Sequence, residues 1–453
     1  MTTERDRAID ALRAVAILGV VLGHWLVTAV VLDSDTVRVA SPLRAIPWLA
    51  PASWLFQTLA LFFFVGGMVA ARSSIDRYGP WLRARLDRLF RPVLILVAVW
   101  SGALIVATVC APGLLPVVGS HTVLKLVASP LWFLLVFAAL TAATPLVRRL
   151  HPAWPFAVVA AVDLARLGLG APAWLGWLNL AAGWLVPFCL GAAWTRGRFR
   201  SRRAGWLLLV AGAAGAVTLT GWFGYPVSMV GVPGEGMSNL NPPSLAAVAF
   251  GIAQCGAALL LMPALRRAMR HRRPWLAVAL INLSAMTIFL WHQTSLLVVT
   301  LLVPGPLDGL HTAPAGVSWL FARLLWLPVF AAVLAVSWLL FHRFEHRGLS
   351  PAALLAGTDA RGLPAAALLA DADHRLSLSA TSNTGDGIVA GQAACADRDA
   401  CGLPVAALFA DDGHRGPSPA ALPADADARD LSPAALLAKA DTNGDARESV
   451  RSA

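Results

Sequence analysis

Long apolar runs alternate with short arginine-bearing segments over the first three quarters of the chain. Ten runs approach the twenty or so residues that cross a hydrocarbon core. They lie near 11–32, 53–71, 92–111, 129–147, 154–170, 174–195, 204–222, 243–265, 275–303 and 316–341. The fifth is interrupted by Asp163 and Arg166, and the ninth is long enough to be tilted or to start outside the membrane. The first, from Ala14 to Leu32, is too long for the apolar region of a signal peptide and has no small-residue cleavage site before Asp33, so it reads as a first transmembrane helix. The pattern predicts an all-α, polytopic transmembrane helical bundle of about ten spans.

Loop charges give this bundle an expected orientation. One set of loops carries Arg5 and Arg7, the arginines from Arg72 to Arg91, Arg148 and Arg149, Arg196 to Arg203, Arg266 to Arg273, and Arg343 with Arg347. The alternate loops hold only Arg38, Arg44 and Lys125. Such a loop-by-loop alternation implies an even number of spans with both termini cytoplasmic, in the plasma membrane.

Composition agrees. Hydrophobic residues make up 58% of the 453 residues and charged residues 13%, with mean hydropathy +0.67; a soluble domain carries about a quarter charged residues. The net charge of +11 hides a split, because residues 1–347 hold 28 of the 36 Lys+Arg but only 11 of the 25 Asp+Glu. The basic residues sit in short loops, where topology accounts for them, so nucleic acid is not an expected partner. The five cysteines form no CxxC pair and imply neither a disulfide framework nor a metal site.

At residue 348 the chain changes character. Residues 348–453 run through degenerate units such as GLSPAALLAGTDA and GLPAAALLADADH, each with an early proline, an Ala/Leu run and acidic residues. The runs are too short for stable isolated helices, so a mostly disordered cytoplasmic tail is expected after a transmembrane domain spanning 1–347. DTNGDA opens like a calcium loop but has Ala446 and Ser452 where that loop needs Gly and Glu.

The candidate chemistry begins on the first helix. At about 100° per residue, Asp10, Arg13 and His24 share one stripe. Arg13 falls near the cytoplasmic interface and His24 roughly 16 Å deeper. An ionisable residue at that depth is costly unless it faces a cavity or a polar partner; the structural alternative is a histidine bonded to a neighbouring helix. Asp10 lies about 20 Å along the axis from His24, so it is assigned to Arg13 instead. Arg85, Arg88 and Arg91 recur at helical spacing before the third span, and their planar forks suit phosphate, although the positive-inside rule alone accounts for their charge. The ninth span, INLSAMTIFLWHQTSLL, brings Asn282, His292 and Gln293. Its glutamine is read as a helix–helix hydrogen bond and His292 as either that or a second group on the same cavity. Glu235 in the loop GVPGEGMSNLNPP is either an acceptor contact or solvated. The chain has no Walker A, GxSxG or HExxH motif, so ATP-driven transport and serine or zinc hydrolysis are not supported.

Five of these pieces resemble one family in order. RAIDALRAVAILGVVLGHW is similar to the opening signature of the acyltransferase family 3 membrane proteins, LFFFVGGMVAARS to their second-helix signature, and WLRARLDRLFRP to the Arg-x-x-Arg stretch before the third helix. LWFLLVF and FLWHQT match later segments. Ala11 stands where the family usually has Gly, and Gly66 where it usually has Ser. The resemblance covers about residues 5–345. It implies a stand-alone integral membrane O-acyltransferase that moves an acyl group, acetyl by expectation, from acyl-CoA as co-substrate to a hydroxyl of a carbohydrate, envelope component or small metabolite, with no bound cofactor. His24 would be the base or the covalent carrier, with Asp10 and Arg13 completing the catalytic set further along the same stripe. Arg85, Arg88, Arg91, His292, Asn282 and Glu235 would bind substrates. The rival reading is a transporter for a polyol, sugar or lipid, which would be expected to show paired repeats; residues 1–345 show none.

Overall fold

The computed structural model describes residues 6–32, 37–73, 75, 77–114, 117 and 119–345, all within the unit Met1–Ser377; the acidic tail expected over 348–453 lies outside the described residues. Twelve helices organise this part: α1 Arg7–Val27, α2 Leu59–Arg72, α3 Tyr78–Cys110, α4 His121–Ala128, α5 Leu131–Ala142, α6 Ala153–Asp163, α7 Leu178–Thr195, α8 Arg202–Trp222, α9 Leu245–Ala268, α10 Arg272–Leu283, α11 Ala285–Leu302 and α12 Val317–Glu345. Short turns of helix at Pro42–Ala45, Pro47–Ala52, Ser53–Phe56 and Thr144–Val147 connect them. Among the described residues nine helical stretches are long and apolar enough to cross a membrane. The chain is a multi-pass membrane protein.

Four of these helices start where a side chain satisfies a free N–H group. Asp6 accepts from the backbone of Ala8 at the start of α1, and Ser120, Ser201 and Ser244 accept in the same way at α4, α8 and α9. Between helices, small residues allow the backbones to approach, which replaces the missing hydrophobic drive inside a bilayer. A Cβ on Gly67 would run into the carbonyl of Phe188, and one on Gly191 into the carbonyl of Phe64, so α2 and α7 lie backbone to backbone. Gly212 meets Ala249 and Ala253 in the same way, which closes α8 onto α9. Gly66, where the resemblance expected Ser, is occupied from outside: a Cβ there would lie 2.8 Å from the Phe137 ring.

Three expected spans take a different form. The first helix does not continue to Leu32. It stops at Val27, and Ala29–Leu32 pairs antiparallel with Val37–Ala40 as a two-stranded hairpin, β1 and β2, in an otherwise helical bundle. The run Val27-Thr28-Ala29-Val30-Val31 is mostly β-branched, which stiffens χ1 and favours a strand once a partner is available. The ninth run is divided at Ser284 into α10 and α11. The fifth is a helix of 11 residues followed by a π turn at Leu164–Gly168, and Asp163 at its end is buried and hydrogen-bonded.

Candidate functional site

Helix α1 runs beside α10 and α11, and its polar stripe faces them. At the end near its start, Asn282 donates from Nδ2 to the backbone carbonyl of Asp10 at 2.8 Å. Asp10 itself is buried and Arg13 half-buried. Further along, His24 meets α11, with Gln293 Nε2 lying 3.0 Å from His24 Nδ1. The two imidazoles of His24 and His292 sit with ring centroids 5.1 Å apart and planes at 41°. His24 is half-buried, whereas His292 and Gln293 are fully buried.

Two further bonds fix the depth of this pair. Trp25 donates from Nε1 to the backbone carbonyl of His292 at 2.9 Å, and Ser295 Oγ donates to the same carbonyl at 2.7 Å. His292 Nδ1 lies 2.7 Å from the carbonyl of Phe289. A carbonyl only accepts, so Nδ1 carries the proton and Nε2 holds the lone pair. That Nε2 is buried with no hydrogen-bond partner among the described residues. An aromatic wall extends from it: Phe289 touches Phe133 at 5.1 Å, Phe133 touches Phe63 at 5.1 Å, and Phe63 stacks on Trp184 at 5.1 Å. The wall reaches the pair through Phe289, whose ring lies 6.0 Å from that of His292, and gives His292 apolar surroundings in which hydrogen bonds gain strength.

The arginine stretch forms the first turns of α3. Arg85 donates to Ser73 Oγ at 2.8 Å and lies 4.1 Å over the Trp81 ring. Arg88 is exposed, and Arg91 is 3.8 Å from Asp87. These groups stand at the end of the bundle where α1 begins, because Ser73 closes α2 there and Asp6 reaches Arg266 at 2.7 Å and Arg72 at 4.0 Å. Glu235 is at the other end of α2, exposed in the loop 223–244. That loop is tied down by Trp54 Nε1 to Val227 O at 2.7 Å and by the Met229 amide to Ser53 Oγ at 2.9 Å. The fold therefore brings His24, His292 and Asn282 along one helix face, and places Arg85, Arg88 and Arg91 at one end and Glu235 at the other.

Three residues carry structural weight that the sequence left unassigned or only generally assigned. Gln293, read as a generic helix–helix bond, makes that bond to His24 itself. Arg323 is fully buried in α12. Its Nε donates to Trp25 O at 2.7 Å, Nη2 to Thr28 O at 2.5 Å and Nη1 to Gly309 O at 2.9 Å, and its guanidinium lies 4.7 Å over Phe330. It caps the C-terminus of α1, whose last carbonyls have no partner within the helix. Gly309 adopts φ +73, and a Cβ there would stand 2.5 Å from the Arg323 amide nitrogen. A lone arginine inside an apolar run was the available signal. Asp163, read only as an interruption, is buried and accepts from Asn179 Nδ2 at 2.8 Å, Tyr225 OH at 3.0 Å and the Leu245 amide at the start of α9 at 2.7 Å. Burial first, and then the charge and hydrogen bond of Asp163, raise the Tyr225 hydroxyl above the usual tyrosine value.

Residues 6–342 match the family model described as an acyltransferase domain, the third family of that name. No curated protein and no solved structure matches the chain.

Proposed function

Because this chain belongs to the acyltransferase family 3 membrane proteins, we propose that it moves an acyl group, acetyl by expectation, from acyl-CoA to a hydroxyl of a carbohydrate, an envelope component or a small metabolite. The observation that carries the reading is the half-buried His24 imidazole, held at Nδ1 by Gln293 and lying 5.1 Å from the His292 ring. Such a group can take a proton from a hydroxyl, since imidazole exchanges protons near neutral pH.

In this reading acyl-CoA enters at the cytoplasmic end, and Arg85 and Arg88 meet its phosphates with Arg13 deeper along α1. Arg91 takes a smaller part because it faces Asp87. The thioester reaches the histidine pair. His24 takes the proton of the acceptor hydroxyl as its oxygen attacks the thioester carbon. The carbon–sulfur bond breaks, and the thiolate leaves with that proton. Asn282 orients α1 at Asp10, and Glu235 in the loop at the far end receives the acceptor. The loop charges support ten crossings with both termini cytoplasmic in the plasma membrane, the fifth being α6 with its π turn. Membranes carrying His24→Ala, given labelled acetyl-CoA, test the proposal: transfer into envelope glycans or small metabolites should be lost, and full transfer would end it.

A further inference from the structure

We infer that Gln293 is the positioning residue that decides which nitrogen of His24 meets the substrate. The inference deepens the proposed function and rests on His24 being the base.

A neutral imidazole has one N–H and one lone pair, and a partner on one nitrogen dictates the state of the other. The side-chain amide of Gln293 sits 3.0 Å from His24 Nδ1. The contact cannot slide, because the neighbouring pair is pinned as well, Trp25 to the carbonyl of His292 at 2.9 Å. Consecutive residues of α1 thus hold consecutive residues of α11. No protein group other than this amide hydrogen-bonds the His24 ring among the described residues; its second neighbour is the His292 ring face.

The amide has two orientations that fill the same space. With its nitrogen toward Nδ1, the His24 proton is on Nε2, and the free side of the ring is a donor. With its oxygen toward Nδ1, the ring donates Nδ1–H to Gln293, and Nε2 keeps the lone pair that a base needs. The outer end of the amide decides how freely these exchange. Gln293 Oε1 is buried with no hydrogen-bond partner among the described residues, so the half-turn exchanges the bond to His24 and breaks none at the outer end. The reactive form is the one with Gln293 Oε1 on Nδ1–H. A neutral amide does this without placing a second charge in the membrane core, where a carboxylate would be costly.

The test separates an acceptor from a mere space-filler. Purified enzyme carrying Gln293→Met, Gln293→Glu or His24→Ala is compared for kcat, donor KM and thermal stability in detergent. Methionine fills the space and accepts nothing useful, so Gln293→Met should lower kcat about 10–100-fold with donor KM unchanged. Glutamate keeps the acceptor and removes the donor, so Gln293→Glu should retain at least about fivefold more kcat than Gln293→Met. Wild-type kcat in Gln293→Met, or a folded Gln293→Glu no better than Gln293→Met, overturns the inference. Should Gln293→Glu fail to fold, the kcat-against-KM split of Gln293→Met decides alone. His24→Ala keeps the two ideas apart: an active His24→Ala removes the base reading itself, whereas an inactive His24→Ala beside a fully active Gln293→Met removes only the role given to Gln293.

Discussion

Trp25 donates its indole N–H to the backbone carbonyl of His292 at 2.9 Å, one residue away from the contact between His24 and Gln293. The indole therefore sets the depth at which α1 presents its histidine to α11. Trp25→Phe keeps the aromatic contact with Phe330, whose ring lies 5.7 Å away, and removes only the bond. Ser295 still satisfies the carbonyl, so stability should fall by no more than about 1 kcal/mol. The kcat for acyl transfer should fall more steeply than that change suggests, because an error of about 1 Å in a reacting group costs up to about 100-fold. Labelled transfer assays with a parallel melt compare the two.

Arg323 binds three backbone carbonyls from inside the bundle. Arg323→Met leaves the last carbonyls of α1 and that of Gly309 without donors in an apolar setting. The loss should reach about 3 kcal/mol or more, and yield in membranes should drop with it. Arg323→Lys keeps the charge but has no planar fork, so it should recover only part of the loss. Thermal melts in detergent read both, and a melting point unchanged in Arg323→Met would refute the capping role.

The arginines of α3 differ in their partners, and their variants should differ too. Arg85→Ala and Arg88→Ala should each raise the KM for acyl-CoA about tenfold while leaving kcat within about twofold, as expected for charge-assisted bonds to a phosphate made equally in ground and transition states. Arg91→Ala should raise it less, because Asp87 stands 3.8 Å from its guanidinium. Donor titrations at fixed acceptor settle the ranking; equal effects for all three would point to general positive charge instead.

Tyr225 donates to Asp163 at 3.0 Å, and burial together with that carboxylate raises its hydroxyl above the usual value. A raised value means that the folded protein favours the protonated phenol. Its contribution to stability is therefore complete below about pH 10, the ordinary tyrosine value, and is lost as pH rises beyond it. Tyr225→Phe should melt lower at neutral pH, and its melting point should decline less between pH 9 and pH 11 than that of the wild type, about 1 kcal/mol being at stake in the bond. A parallel decline in both proteins would exclude the Tyr225–Asp163 bond as the titrating element.

The order of helices and the shared face of Asp10, Arg13 and His24 follow from hydrophobic period and helix geometry, which are local properties, whereas the division of the ninth run at Ser284 does not. The second partner of each polar group does not. Nothing within α1 says that Gln293, 269 positions away, will sit on His24, and the distance from Asp10 to His24 says only that Asp10 will not. Asp163 and Arg323 were visible as charges in apolar runs. Their roles as ligands of the α9 N-terminus and the α1 C-terminus depend on which helix ends lie beside them.

The hairpin after Val27 shows where the division lies. By itself the sequence determined that the chain enters a membrane repeatedly, that its arginines gather in alternate loops, and that a histidine lies deep on the first helix, because apolar length, loop charge and a 3.6-residue turn act within twenty residues. Only the tertiary structure decided that α1 stops three residues after His24, that Arg323 closes it, and that α11 supplies both His292 and Gln293. A buried polar group is stable only with a partner, and in a bundle that partner is chosen by packing between helices far apart in the chain.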